Sequence, residues 1–352
     1  MIDFPISGRS ARALLIATAF VATPALADHV GPSGVGSGGG ASVFGPDTLD
    51  AGHWAAGLRL LYTRPEQRSD AELEALAGHH IHAHNTDYNL NASAGVAYGI
   101  NHHLTVSAEL PYVRRDDLRE GTHAHSGGVV LNGVEQLGTV SGIGDLSLLM
   151  KYRVTDGERS GLALIGGIKV PTGNTHERSL DGERLETEHQ PGSGSWDPIV
   201  GASAGTRVGP MQLTASAIYQ ISTRGAQNTR LGNRLQGGIA LSHRFGAKPH
   251  EHMQTHNHHH GDELDDHGEE HPHSSWDAFV EVADEWEGRQ KIDGETEAAS
   301  GGKWAYVAPG LRFNAASGWS ASAAFALPVW QRIRASHPES RYRLMVSLGR
   351  AF

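Results

Sequence analysis

The feature that most constrains this chain is an alternation of period two, which begins near Trp54 and runs to Phe352. Apolar side chains recur at every second position in segments of about nine to twelve residues, the repeat of a strand rather than of a helix. Within 212–221, Leu213, Ala215, Ala217, Tyr219 and Ile221 alternate with Gln212, Thr214, Ser216 and Gln220. Within 146–154, Leu146, Leu148, Met150, Tyr152 and Val154 alternate with Ser147, Lys151 and Arg153. Within 341–352, Tyr342, Leu344, Val346, Leu348 and Phe352 alternate with Arg341, Arg343, Ser347 and Gly349. Twelve such segments follow one another, near 53–62, 88–99, 103–112, 144–154, 161–170, 198–208, 211–222, 234–245, 275–286, 303–314, 319–330 and 341–352. The connections at 100–102, 155–160, 209–210 and 315–318 are short, whereas those such as 113–143 are long. An even strand count, with short turns at one end and long loops at the other, predicts an all-β fold: a transmembrane antiparallel up-and-down β-barrel of about twelve strands.

Hydrocarbon offers no hydrogen-bond partner, so strands span a bilayer only as a closed cylinder in which every backbone N–H and C=O is paired. One face of each strand then meets lipid and the other meets the lumen. The lipid parity holds Leu, Val, Ala, Ile and Gly almost without charge. The lumen parity holds Arg59, Glu109, Lys151, Arg153, Lys169, Arg234, Asp277, Glu281, Arg312, Arg341 and Arg343. Charges of both signs are costly in a dry core and acceptable around a wet lumen. Only 38% of the residues are hydrophobic, which fits a chain whose strands need one apolar face. Tyr62, Tyr112, Tyr219 and Tyr342 fall at one rim, and Trp54, Tyr98, Tyr152, Phe245, Trp276, Phe313 and Phe352 at the other. Two aromatic girdles at the two membrane interfaces are expected from that placement.

Residues 1–27 read as a cleaved secretory signal peptide: Arg9 and Arg12 flank the start of an apolar run over 13–22, and Ala25-Leu26-Ala27 is a cleavage site. Residues 28–50, with Gly36-Ser37-Gly38-Gly39-Gly40-Ala41-Ser42, read as a flexible Gly/Ser-rich periplasmic lead-in. The barrel follows over 51–352, with both ends on the periplasmic side, in the cell outer membrane and surrounded by its lipid.

No cysteine is present, which excludes a disulfide scaffold, a thiolate metal centre and a cysteine nucleophile. A formal charge of −10 argues against nucleic acid as a partner. No catalytic residue is expected. His243 has the lipid parity near a rim, but no serine motif accompanies it, and a general base needs a nucleophile within reach. The run from Gly36 to Gly40 has no flanking strand and helix and no following Lys-Ser/Thr, so it is not a phosphate loop.

Histidine is the unusual residue: 23 are present, against 29 Lys and Arg together. An insert at 246–274 holds His250, His252, His256, His258, His259, His260, His267, His271 and His273, interleaved with Glu251, Asp262, Glu263, Asp265, Asp266, Glu269 and Glu270. Imidazole with carboxylate suits Zn, Cu, Ni or Co. The His-x-His pairs can share an ion in an extended chain, and 256/260 or 267/271 can do so on a helical turn. Strand parity puts this insert on the periplasmic side. His79, His80, His82 and His84, after the first strand, and His123 and His125, after the third, fall by the same count in extracellular loops. His102 and His103 read as turn residues. No cofactor is required; a divalent transition metal is the ion these tracts suit.

Ser141-Gly142-Ile143-Gly144-Asp145-Leu146 leads into Lys151-Tyr152-Arg153, and Val170-Pro171-Thr172-Gly173 and Gly192-Ser193-Gly194-Ser195-Trp196-Asp197 follow. Together these resemble the outer-membrane transport proteins grouped with the phenol meta-degradation pathway. The amphipathic strand ending at Phe352 resembles the signal read by the barrel-assembly machinery. The likeness is best over about 140–245 and at the carboxy end, and the His-rich insert departs from it. It implies an outer-membrane barrel with a transport role and leaves the solute open. The expectation is a transporter or channel linked to transition-metal handling through the His-rich insert. The alternatives are a channel for small aromatic or apolar solutes and a non-transporting, metal-buffering surface protein.

Overall fold

The computed structural model describes residues 39–126, 129–156, 160–246 and 274–352. The signal-peptide segment 1–27, the first part of the lead-in and the histidines of 250–273 lie outside the described residues.

Twelve antiparallel strands make the barrel. They are β1 (Trp54–Pro65), β2 (Tyr88–Asn101), β3 (Leu104–Ser126), β4 (Leu146–Asp156), β5 (Ser160–Val170) and β6 (Asp197–Val208), then β7 (Met211–Gln220), β8 (Arg234–Phe245), β9 (Ser275–Glu287), β10 (Gly302–Asn314), β11 (Trp319–Ile333) and β12 (Ser340–Ala351). Each pairs with the next in the chain, and β12 returns to β1 with Ala351 opposite Ala55, so the cylinder closes without an edge. All twelve segments read from the alternation are present. Among the described residues no helix is long and apolar enough to cross a membrane, and closure supplies the backbone pairing that spanning strands require.

The period of two becomes an inside and an outside. On β9, Glu281 is fully buried while its neighbours Val280 and Val282 are exposed. Leu58, Val96, Met150, Leu164, Val200, Ile239, Leu311 and Leu344 extend the same exposed apolar belt around the cylinder. Both girdles form. At the short-turn end the rings of Trp54 and Tyr98 lie 4.6 Å apart and those of Trp276 and Phe313 5.0 Å apart. At the long-loop end Tyr62 sits 5.4 Å from Tyr88, and Tyr342 sits 5.7 Å from Phe325.

Two elements above the outer rim differ from the sequence expectation. The connection over 113–143 is mostly a hairpin: β3 runs on to Ser126 and pairs there with an additional strand, Val129–Ile143. Its register breaks between Arg115 and Leu118, where Asp117 takes a positive φ of 49°. Beyond the hydrocarbon a strand needs no apolar face, so period two fades while the pairing continues. A short helix, α1 (Asp70–Ala77), packs on this hairpin through Leu73 and Ala77. It starts at a capping box in which Ser69 accepts from the Glu72 N–H and the Glu72 carboxylate accepts from the Ser69 N–H.

Candidate functional site

The lead-in expected to be flexible and periplasmic instead runs inside the cylinder over residues 39–50. Glu281 on β9 accepts from the Ala41 N–H at 2.6 Å, the Ser42 N–H at 3.0 Å and the Ser42 hydroxyl. Arg312 on β10 donates to the Gly40 carbonyl at 2.8 Å. The Phe44 N–H donates to Ser216 on β7, and the Gly45 carbonyl accepts from Ser203 on β6 and Lys151 on β4. The Leu49 N–H donates to Thr105 on β3 at 2.8 Å. Strands β9 and β3 stand six apart in a ring of twelve, so this strap reaches from one side of the lumen to the other. Phe44 packs on an inward-facing apolar cluster of Ile165, Ile199 and Ile218. Small residues are required here: a Cβ on Gly40 would run into the Glu281 carboxylate.

Side chains of the wall project into the same lumen. Arg343 donates to Glu285 through two parallel bonds of 2.6 and 2.8 Å, and its guanidinium lies 3.9 Å above the Tyr306 ring. Arg59 meets the Met345 sulfur at 3.8 Å. The inward-facing charges are themselves covered: Arg59, Glu109, Lys169, Glu281, Arg312 and Arg343 are all less than a tenth exposed. Arg153 and Arg234 are half-buried near the two rims, Arg234 lying 3.7 Å from Glu287. Arg341 is a correction. It has the lumen parity but is exposed, because the register of β12 on β1 shifts there: Tyr342 faces Arg64 and Ser340 faces Pro65, so Arg341 bulges out between them while Ser340 beyond it is buried. His243 faces the rim and meets the Pro210 carbonyl at 3.1 Å.

The Gly-rich motifs converge on one buried cation. Lys169 lies 2.9 Å from Asp145 and 2.8 Å from Asp197, and it also meets Ser193. Ser193 donates to Asp145 at 2.6 Å. Gly173 and Gly192 touch backbone to backbone, so a Cβ at Gly173 would fall 2.6 Å from the Gly192 Cα. Three separate stretches of sequence thus build one ion-paired corner at the outer end of the lumen.

At the long-loop mouth, histidines and glutamates form a ladder running inward from the surface. His80 Nδ1 lies 3.2 Å from His123 Nε2, and His82 Nδ1 lies 3.3 Å from Glu120 Oε1. Glu120 Oε2 is 3.6 Å from His189 Nε2, which is 3.7 Å from Glu188 Oε1. Glu188 Oε1 is 3.8 Å from His84 Nδ1, and His84 Nε2 is 3.1 Å from His337 Nδ1. The inner members border a cavity of about 70 Å³ above the packed lumen, shared with Thr63, Asn89, Arg115, Trp304 and Arg343. His84 comes from the β1–β2 loop, Glu188 and His189 from the β5–β6 loop, and His337 from the β11–β12 loop. Arg115 holds the second loop by donating to the His189 carbonyl at 3.1 Å, and Arg68 ties the first to the third through the Ala335 and His337 carbonyls.

Burial sets the charge states of this ladder. It pushes Glu188 up to about 7 and His337 down to about 3. His84 falls well below the ordinary imidazole range through burial and the neighbouring His189 and His337. Burial also opposes a charge on His189, but the Glu120 and Glu188 carboxylates outweigh it and raise its pKa. Burial would raise Glu120, yet His189 and His82 beside it hold it at about 2. Ionised Glu120, His189 with its proton favoured, and neutral His84 and His337 thus share one buried pocket.

Of the histidines singled out from sequence, His80, His82, His84 and His123 meet in this ladder, and His79 is exposed beyond α1. The His125 side chain and His250, His252, His256, His258, His259, His260, His267, His271 and His273 lie outside the described residues. Glu120, Glu188, His189 and His337 were not singled out from sequence: His337 stands alone, whereas the adjacent Glu188 and His189, and Glu120 three residues before His123, were a local signal outweighed by the histidine-dense tracts.

No family model and no curated protein matches the sequence. Among solved structures, an outer membrane channel from Pseudomonas putida F1 has a TM-score of 0.53 at 14% identity, over 87% of this chain and 97% of that one. The β domain of the Bordetella autotransporter BrkA has a TM-score of 0.44 at 11% identity, over 86% of this chain and 100% of that one. The NanC porin has a TM-score of 0.38 at 7% identity, over 84% and 98%. The likeness to the first is one of fold: this chain is a closed twelve-stranded barrel of the outer-membrane type.

Proposed function

We propose that this chain is an outer-membrane channel held shut by its own residues 39–50, and that its histidine-rich segments serve the handling of a divalent transition metal. The strap carries the first half: a segment that precedes β1 is bonded to inward-facing side chains of β3, β4, β6, β7, β9 and β10. The exposed apolar belt and paired girdles support a place in the outer membrane, after removal of residues 1–27, with Phe352 as the mark for the assembly machinery. The shared Lys169 corner supports kinship with the transport family that the motifs resemble, though not its solute.

The wall favours a hydrophilic cargo. Arg59, Glu109, Glu281, Glu285, Arg312 and Arg343 project inward at mid-barrel, and desolvating such charges beside an apolar or aromatic solute is costly. For the metal, the support is the ladder at the outer mouth together with the nine histidines that the sequence carries between β8 and β9. The channel acts without catalysis and requires no cofactor for passage.

The test is flux through the refolded chain in liposomes. Deleting residues 39–49 is expected to raise ion conductance about tenfold or more, since losing two or three hydrogen bonds to charged groups, each about 1.5–3 kcal/mol, removes the bias toward the shut state. Replacing the histidines of 250–273 by serine is expected to lower Zn²⁺ uptake while leaving that conductance intact. Unchanged conductance without the strap overturns the channel reading. Faster passage of a neutral aromatic solute than of Zn²⁺ favours the apolar-solute alternative, and metal binding without flux favours the buffering protein.

A further inference from the structure

We infer that His84, Glu188 and His189 form a buried divalent transition-metal site that clips two extracellular loops together over the outer end of the lumen. Their ligand atoms, His84 Nδ1, Glu188 Oε1 and His189 Nε2, lie within 4.8 Å of one another. The separations of 3.7 and 3.8 Å are too long for hydrogen bonds. They are close to the spacing of about 3.4 Å that a tetrahedral ion with bonds of about 2.1 Å imposes on its ligands. Among the described residues neither His84 Nδ1 nor His189 Nε2 has a hydrogen-bond partner, although both atoms are buried and His189 is only 2% exposed. An ion between them satisfies both nitrogens and the carboxylate at once.

The surroundings are those of a ligand shell. With His84 bound through Nδ1, its Nε2–H donates to His337 Nδ1 at 3.1 Å, which fixes the tautomer. Gln290 donates to the other Glu188 oxygen at 2.7 Å and orients that carboxylate. Glu120 Oε2, 3.6 Å from His189 Nε2, is placed to complete the set, with water as the other candidate. Two nitrogens with carboxylate oxygen suit Zn²⁺, Co²⁺ or Ni²⁺, and the all-oxygen preference of Mg²⁺ and Ca²⁺ disfavours those ions. His80, His82 and His123 give the ion a route from the surface. The site holds whether or not metal crosses the lumen, so it does not stand or fall with the cargo proposed above.

The test uses the full refolded chain in detergent, with the histidines of 250–273 replaced by serine to remove their own affinity, and Co²⁺ as the probe. A single equivalent is expected to bind with the strong visible absorption of four-coordinate cobalt, displaceable by Zn²⁺. Zn²⁺ is expected to slow tryptic cleavage at Arg178 and Arg184 in the β5–β6 loop about tenfold. Glu188→Gln and His189→Ala are each expected to weaken Co²⁺ binding by about tenfold or more and to abolish the protection, while His79→Ala keeps both. Heat-modifiable migration verifies that each barrel is folded; should His189→Ala fail to fold, Glu188→Gln, which keeps its size and the bond from Gln290, decides. Undiminished Co²⁺ affinity in the folded variants overturns the site, and Co²⁺ binding with unaltered cleavage overturns the clip. Conductance is not read, so failure here and failure of the channel reading are separate results.

Discussion

The lumen and its outer mouth are both lined by buried ionisable groups, and they satisfy them in opposite ways. In the lumen three cations sit against carboxylate, Lys169 between Asp145 and Asp197, Arg343 on Glu285 and, at the inner rim, Arg244 on Asp277 through bonds of 2.7 and 3.0 Å, while Lys151 and Arg312 donate to strap carbonyls. At the mouth, two imidazole nitrogens and a carboxylate oxygen converge at 3.7 to 3.8 Å without a hydrogen bond between them. The first region pairs opposite charges supplied by the wall itself. The second is where we infer a cation from outside.

That contrast is most severely challenged at Lys169. Lys169→Met leaves Asp145 and Asp197 buried together without a counter-charge and is expected to cost about 3–5 kcal/mol, read as a lower unfolding temperature of the barrel in detergent. An equal loss from His189→Ala in metal-free protein would erase the difference between the regions. Next in size is Glu281→Gln, which keeps the shape of the strap's main acceptor and removes its charge. An expected loss of about 1.5–3 kcal/mol translates into a tenfold to hundredfold larger open population, measured as single-channel open probability. His337→Phe sharpens the comparison from the other side: Co²⁺ affinity is expected to fall about 10- to 100-fold through the lost partner of His84, with open probability unchanged. The smallest effect is predicted for Arg341→Ala, where the exposed outer-rim position is expected to change stability by no more than about 0.5 kcal/mol.

The barrel was legible because lipid dictates it residue by residue: a span such as Val280-Glu281-Val282 has one tolerable orientation, and twelve such spans announce themselves. Above the membrane that dictation ends. Val129–Ile143 pairs with β3 along its length apart from the break around Leu118, yet residues such as Asn132, Glu135 and Gln136 give it no apolar stripe. The Ser69–Glu72 capping box was a readable start for α1, too short-lived a signal to stand out beside the alternation. The strap was hidden by an ambiguity of composition. Glycine and serine serve a free linker and equally a chain squeezed against a wall, as Gly40 against Glu281 shows. The histidine–glutamate ladder was half visible. His80, His82 and His84 share a local spacing, whereas His84 and His337 are separated by 253 residues and meet only after two loops have closed over the cylinder.

Every wall contact of residues 39–49 described above runs through a side chain of the wall or of the strap, and none belongs to the backbone ladder of the cylinder. The latch and the cask therefore share no rung. Withdrawing the latch, about the bend where Gly52 takes a φ of 82°, leaves all twelve staves joined. In the proposed channel, opening is thus mechanically independent of barrel integrity, and the energy that holds the latch can be tuned one side chain at a time without loosening the wall.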